Sequence, residues 1–447
     1  MRPSISTLPL KLRIITDANE ESFDLPNPQQ LPITPHYDSD LSARAFDLYL
    51  TAVAIHELER HLHNSVNLRK HVKKVIIPLT NEGYRQIDLA AASNTLNNVA
   101  LTIFSKNIQF DFEPHGGYQT DFYQENAEYE AVCLFSGGAD SFVGVLDANE
   151  QYNSIVALNI KHARSTTPQK YVECLNRNVL NPEGIPFNAI DVSNQIGKGY
   201  SQTRGLLYQT CAGIEAVRYS AKTIVLSECG TTMYQPSFGI FDRVTYTSDP
   251  MVQKASLRLI RNYLDCNLTI TTPYENNTKS EMFSSSKRKN ELRNTFSCIS
   301  SRFRGNLGCC YGCAIRRIGF LVSGIEDSQY HYDLFSIADD SRLHRYGRIK
   351  GNVRITEFLE LMRFCFDLLT DYESIDPVKR KRIDHYHKQD LFRRFALDTF
   401  ASLHILSNYD ITKINPRINA AYRDALNYIS EDELNARIDY VRNMTNS

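Results

Sequence analysis

The chain has 447 residues, of which 42% are hydrophobic and 23% charged. That is enough apolar material for a full-sized core and too much for wholesale disorder. With 50 basic and 51 acidic residues the formal net charge is -1, which excludes nucleic-acid binding through bulk positive charge. The segment MRPSISTLPLKLRI has no signal-peptide pattern, and no apolar run approaches the ~20 residues of a membrane span, so a cytoplasmic protein is expected.

In chain order, three zones are expected. The first, 1–125, should be a small α+β module. Its start, through DLPNPQQLPITPHYDSD, is rich in turn residues and reads as loop. Leu41, Ala45, Leu48, Ala52, Ile55 and Leu62 then recur at helical spacing, with Ser39 or Asp40 as cap. VKKVIIPL and VALTIF read as strands, and IQFDF alternates Ile108, Phe110 and Phe112 on one face. The second zone, 126–325, alternates short apolar strands (AVCLF, SIVALNI, FNAIDV, TIVLS, LTITT) with helical stretches such as GLLYQTCAGIEAVRYSA and VQKASLRLIRNYL. That rhythm implies right-handed crossovers and a doubly wound parallel sheet of the α/β class, with ligands at the carboxyl ends of its strands. The third zone, 326–447, should be helical, from TEFLELMRFCFDLL and DLFRRFALDTFASLHIL. The basic run KRKR at 379–382 reads as a solvated helix face.

The sharpest motif is FSGGADSF. Ser136, Gly137, Gly138, Ala139, Asp140 and Ser141 follow a buried strand and open a helix. Two glycines let the backbone bend close to a ligand, and the following helix turns its free N–H groups toward the same point. This is an anion cradle suited to pyrophosphate, and it is neither GxxxxGK[ST] nor GxGxxG. Of ten cysteines, Cys133, Cys174, Cys211, Cys229, Cys266 and Cys365 are isolated and read as small buried apolar residues. Cys298, Cys309, Cys310 and Cys313 crowd one stretch, and a thiolate cluster of this kind suits tetrahedral Zn²⁺. His56 and His61 of IHELERH are one residue too far apart for HExxH and read as ordinary histidines. No GxSxG elbow is present.

The SGGxDS string resembles the pyrophosphatase loop of the N-type ATP pyrophosphatases, which attach AMP to a carbonyl or carboxylate oxygen and release pyrophosphate. The Cys-rich stretch FSCISSRFRGNLGCCYGCAIRR is similar to the zinc loop of 7-cyano-7-deazaguanine synthases. Cys298 matches their lone Cys, Cys310 and Cys313 their last two, and Arg316 and Arg317 follow. Leu307 stands where the remaining Cys belongs, with Cys309 as its substitute. TPYENNTKSEM resembles the family's Lys segment and nominates Lys279 as the catalytic cation, with Asp140 and Arg204 beside it. SQTRGLLYQT and LSECGTTMYQPSFGIFDRVTYTSDP resemble a longer subfamily encoded in bacterial anti-phage operons. They nominate Arg204, Glu228, Gly230, Pro236, Arg243, Thr247 and Pro250, with Glu228, Gly230 and Arg243 as substrate contacts and Cys229 where that subfamily often has Asn.

The resemblance covers 126–325. It implies ATP, Mg²⁺ and Zn²⁺, a 7-deazaguanine carboxylic acid as the adenylated group, and an amine acceptor on a partner protein from the same operon. Such a partner is the use suggested for the two added zones. A conventional synthase using ammonia, a tRNA-modifying pyrophosphatase and a non-catalytic nucleotide switch are the alternatives.

Overall fold

A computed structural model describes residues 10–25, 39–115, 127–161, 166–193, 202–238, 246–298, 305–328, 330–336 and 350–444. Near the N-terminus, Lys11–Thr16 (β1) and Glu20–Asp24 (β2) form an antiparallel hairpin where only loop was expected. Leu12 and Ile14 alternate inward on β1 and are fully buried, a short period-two signal that the Pro-rich segment after it obscured. Val72–Leu79 (β3) pairs antiparallel with β1 and parallel with Gln109–Pro114 (β4), completing a four-stranded sheet of order β2-β1-β3-β4.

VALTIF is not a strand. It ends the helix Leu89–Phe104, which Asp88 caps by accepting from the Ala91 amide at 2.9 Å. Ala92, Leu96, Val99, Ala100 and Ile103 face inward at helical spacing, so the alanines upstream and the cap override the β-branched run. The 26-residue helix Ser39–Asn64 lies as expected.

The central sheet is all-parallel and five-stranded, in the order β7-β6-β5-β8-β9. Its members are Ala131–Leu134 (β5), Ile155–Lys161 (β6), Phe187–Asp191 (β7), Thr223–Val225 (β8) and Thr269–Thr271 (β9). Each strand that periodicity nominated in this zone is present. The chain steps from β5 outward to β7, then returns to the other side of β5 to lay down β8 and β9. The order therefore reverses between β5 and β8, and the crevice outside their carboxyl ends is where open α/β sheets bind ligands.

The N-terminal zone packs against this sheet, and the C-terminal zone packs against the helix Tyr311–Ser323 beside it. Leu48, Val53 and Ile55 of the Ser39–Asn64 helix share one buried cluster with Val132, Leu158 and Ile190 of the sheet and with Leu206 and Leu259. Phe142, Val143, Leu180, Met282 and Phe283 cover the other face. The C-terminal helices Lys350–Thr370 and Gln389–Asp410 bury Phe358, Leu361, Phe395 and Phe400 with Ile315 and Ile318 of the helix Tyr311–Ser323. Of the isolated cysteines, Cys133, Cys211, Cys229 and Cys365 are buried, whereas Cys174 is exposed and Cys266 half-buried. Among the described residues no helix is long and apolar enough to cross a membrane.

Candidate functional site

The turn that leaves β5 is shaped by its glycines. Gly137 has φ +75°, and a Cβ there would lie 2.7 Å from Val172 Cγ2. Gly138 is the N-cap of the helix Ala139–Gln151 and supplies no side chain to its first amides. Those amides, orphaned by helix geometry, face the end of the sheet together with the positive end of the helix dipole. The hydroxyls tie the turn to itself. Ser141 Oγ accepts from the Ser136 amide at 3.1 Å and donates to the Gly138 carbonyl at 3.0 Å, and Ser136 Oγ lies 3.1 Å from Ser141 Oγ.

Asp140, in the first turn of that helix, is buried and forms an ion pair with Lys279 at 2.5 Å across 139 residues of sequence. Lys279 opens the helix Lys279–Ser285, which a capping box of Thr278 and Glu281 holds in place. Burial opposes the Lys279 charge, but the surrounding Asp140, Cys229 and Glu228 outweigh it and raise the ammonium above its ordinary range.

Glu228 stands just beyond the carboxyl end of β8. Burial, then the neighbouring Asp140 charge, pushes its carboxyl up to about 7, and Lys279 and Arg204 oppose that shift. The next residue, Cys229, donates its amide to Asp140 Oδ2 at 3.3 Å. Gly230 lies against the segment before Lys279, donating its amide to the Tyr274 and Asn277 carbonyls at 2.8 and 3.0 Å. A Cβ on Gly230 would sit 2.1 Å from the Glu275 carbonyl oxygen, so this position needs glycine for close backbone approach.

Arg204 begins the helix Arg204–Arg218, near enough to Glu228 to act on its carboxyl. Its buried Nε has no hydrogen-bond partner among the described residues. Thus Ser136–Ser141, Lys279, Glu228 and Arg204, nominated from four separate stretches, meet at the reversal point of the sheet. Arg243 lies outside the described residues. The described part of the 226–250 stretch has structural work. Asp249 accepts from Met251 N and Arg382, and Gln209 Nε2 donates to the Thr247 carbonyl at 2.7 Å.

The thiols of Cys298, Cys310 and Cys313 converge, all within 4.8 Å of one another. Tetrahedral zinc with Zn–S bonds of about 2.3 Å spaces its sulfurs about 3.8 Å apart. Cys298 and Cys310 are 3.8 Å apart, and Cys310 and Cys313 3.3 Å. The Leu307 amide donates to Cys298 Sγ at 3.4 Å, as amides around structural metal sites do for thiolates. Burial, followed by the adjacent thiols, raises the Cys313 pKa well above the ordinary value, and a bound cation would reverse that preference. The donor set therefore fits a soft tetrahedral metal such as zinc through these three residues.

Cys309, expected as a fourth ligand, is not in the group. It is fully buried among the apolar residues of the C-terminal core, with Leu307 and Ile318. In extended backbone at a helix entrance, neighbouring side chains point to opposite sides, so Cys309 and Cys310 divide between core and cluster.

A brace connects the cluster to the turn, and sequence reasoning did not find it. The Phe296 amide donates to the Gly137 carbonyl at 2.9 Å. Arg316 is fully buried; it bonds the Thr295 and Leu292 carbonyls at 3.2 and 3.1 Å and pairs with Asp327 at 2.8 Å. The segment leading into Cys298 is thereby fixed at both ends. In the sequence Arg316 is marked only by its place after the cysteines. KRKR is likewise more than a solvated face, since Arg382 bonds the Tyr234 and Met233 carbonyls at 3.1 and 3.2 Å. His56 is buried beside Thr203, and His61 packs against the Phe23 ring. No protein-family model matches the chain.

Proposed function

We propose that this chain is an ATP pyrophosphatase of the 7-cyano-7-deazaguanine synthase kind, in the long form associated with anti-phage operons. It activates a 7-deazaguanine carboxylic acid as the acyl-adenylate and passes it to an amine. The observation that carries the reading is the Lys279–Asp140 pair at the mouth of the Ser-Gly-Gly turn, between β5 and β8. Helix-terminal amides for phosphate and a fixed cation beside them are what in-line displacement at phosphorus requires, since that reaction depends on positioning and charge neutralisation.

In this reading ATP arrives with its Mg²⁺, and the β- and γ-phosphates rest on the amides of residues 137–141 and the Ser136 and Ser141 hydroxyls. Lys279 exchanges part of its contact with Asp140 for an oxygen of the α-phosphate. The substrate carboxylate attacks the α-phosphorus; the bond to the bridging oxygen breaks, and pyrophosphate leaves. The amine then attacks the acyl carbon and AMP departs with the former carboxylate oxygen. Asp140 and Glu228 are the oxygen ligands within reach of a divalent ion. Ionised, Glu228 accepts hydrogen bonds from a guanine-like edge or takes the proton of the incoming amine, both suited to a carboxyl near neutrality. Zinc on Cys298, Cys310 and Cys313 would be structural, stiffening the segment that Phe296 ties to the turn.

The acceptor we favour is an amine on a partner protein. The test is mass spectrometry of reactions containing the chain, ATP, candidate deazaguanine acids and neighbouring operon products. Pyrophosphate with a mass gain on a partner supports it, and a free amide or nitrile in ammonia points to the conventional synthase. No acid-dependent pyrophosphate from any mixture would overturn the assignment.

A further inference from the structure

The flanking zones reach the two cations of the site, each through the start of the helix that carries one. On the N-terminal side, Glu59 of the Ser39–Asn64 helix accepts from the Gln202 amide at 2.6 Å, the Thr203 amide at 2.9 Å and Thr203 Oγ at 2.7 Å. Thr203 is the N-cap of the Arg204 helix and makes no side-chain cap bond of its own. A carboxylate from 144 residues away in sequence thus anchors the residue from which the Arg204 helix starts.

On the C-terminal side, Glu281 belongs to the capping box of the Lys279 helix, and two arginines hold its carboxylate. Arg394 of the Gln389–Asp410 helix pairs with it and bonds the Asn276 carbonyl at 2.8 Å. Arg437 of the helix Glu431–Asn443 reaches Glu281 at 2.7 Å and Asp398 at 2.7 Å. Glu281, Asp398 and Arg437 are all buried, so the low local dielectric gives this network stiffness that a surface pair lacks. Asn276 and Asn277 lie in the turn that receives Gly230, so the same clamp reaches the end of β8.

We infer that Glu59, Arg394 and Arg437 are positioning residues: the two added zones complete the site by fixing where Arg204 and Lys279 stand. A function for these zones as partner-docking accessories is then unnecessary, although their outer faces remain available. The inference uses the site as read under the proposed function, but its central readout does not depend on the reaction.

That readout is amine labelling of Lys279. In the folded full-length chain Lys279 is held against Asp140 with its side chain 12% exposed, so acetic anhydride at limiting dose should modify it slowly. Arg394→Gln, at a side chain that is itself part-exposed, and Arg437→Lys, which keeps the charge but loses the fork, are compared with wild type by peptide mass spectrometry. Expected is at least a tenfold rise in Lys279 labelling in Arg394→Gln and a smaller rise in Arg437→Lys, with melting temperatures that still show one folded protein. The exposed Lys287 serves as the internal standard. Unchanged Lys279 labelling in a folded Arg394→Gln protein overturns the inference. In the pyrophosphate assay, Arg394→Gln should lower kcat about tenfold and leave KM for ATP within threefold. In a Lys279→Ala background the same change should add nothing; an independent loss there overturns the inference. If wild type releases no pyrophosphate while the labelling moves as stated, the positioning stands and the reaction assignment fails.

Discussion

Gly137→Ala is the most discriminating local perturbation, because a second glycine provides its control. Gly137 and Gly184 have nearly the same backbone, φ +75° and +70°, and an alanine at either pays the left-handed penalty of about 1–2 kcal/mol. At Gly184 nothing among the described residues lies within 4 Å of the added Cβ, whereas at Gly137 it meets Val172 Cγ2 at 2.7 Å. Carbon atoms rest about 3.5–4.0 Å apart, so the turn or the helix Thr166–Leu175 that carries Val172 must yield, at a typical overpacking cost of about 1–3 kcal/mol. Gly184→Ala should therefore cost about 1–2 kcal/mol and Gly137→Ala about 2–5 kcal/mol. Urea unfolding of both, with Val172→Ala and the double variant, separates the contributions. The double variant should recover about 1–3 kcal/mol relative to additivity. Equilibrium ATP binding on the same proteins should weaken for Gly137→Ala and be unchanged for Gly184→Ala. Equal unfolding midpoints for the two glycine variants, or unaltered nucleotide binding by Gly137→Ala, would refute the account of the turn.

Lys279→Met should lower pyrophosphate release by at least about 100-fold, the scale for a cation that stabilises charge in the transition state, and kinetics with saturating ATP check it. Arg316→Met strands Asp327 in the interior and should destabilise the chain by about 3–5 kcal/mol in denaturant titration, whereas Arg316→Met with Asp327→Leu should recover much of that. Metal analysis of purified protein should find one zinc, lost in Cys310→Ser and Cys313→Ser and kept in Cys309→Ser. Because the folded Glu228 carboxyl is raised from 4.5 to about 7, its protonated form favours folding. That contribution is complete below about pH 4.5 and disappears as pH rises through about 7. Melting temperatures of wild type minus Glu228→Gln should accordingly fall between pH 4.5 and 7.5; a flat difference would contradict the burial of that carboxyl.

What was legible in the sequence follows the range of the interactions. The five central strands were readable because a sheet covered on both faces demands short apolar runs, and the SGGxDS turn because its geometry needs glycine at fixed offsets. Lys279, Glu228 and Arg204 were placed by resemblance, and the fold brings them to one crevice. VALTIF misleads because its β-branched residues carry no trace of the Asp88 cap that starts its helix 11 residues before Val99. β1 was missed because three alternating residues beside a Pro-rich stretch make a weak signal. Cys309 counted as a ligand because spacing alone does not say toward which side of the chain a thiol points. Glu59, Arg394, Arg437 and the Arg316 brace were invisible, since each acts on a partner distant in sequence and nothing local marks a salt-bridging arginine from a surface one.

If a carboxylate attacks the α-phosphorus of ATP held at the 136–141 turn, one of its oxygens must leave in AMP, and oxygen tracing follows that atom. Deazaguanine acid labelled with ¹⁸O in its carboxylate, incubated with the chain, ATP and an amine acceptor, should deliver one ¹⁸O to AMP and none to inorganic phosphate. AMP without the label, or label appearing in phosphate from the terminal position, would contradict it.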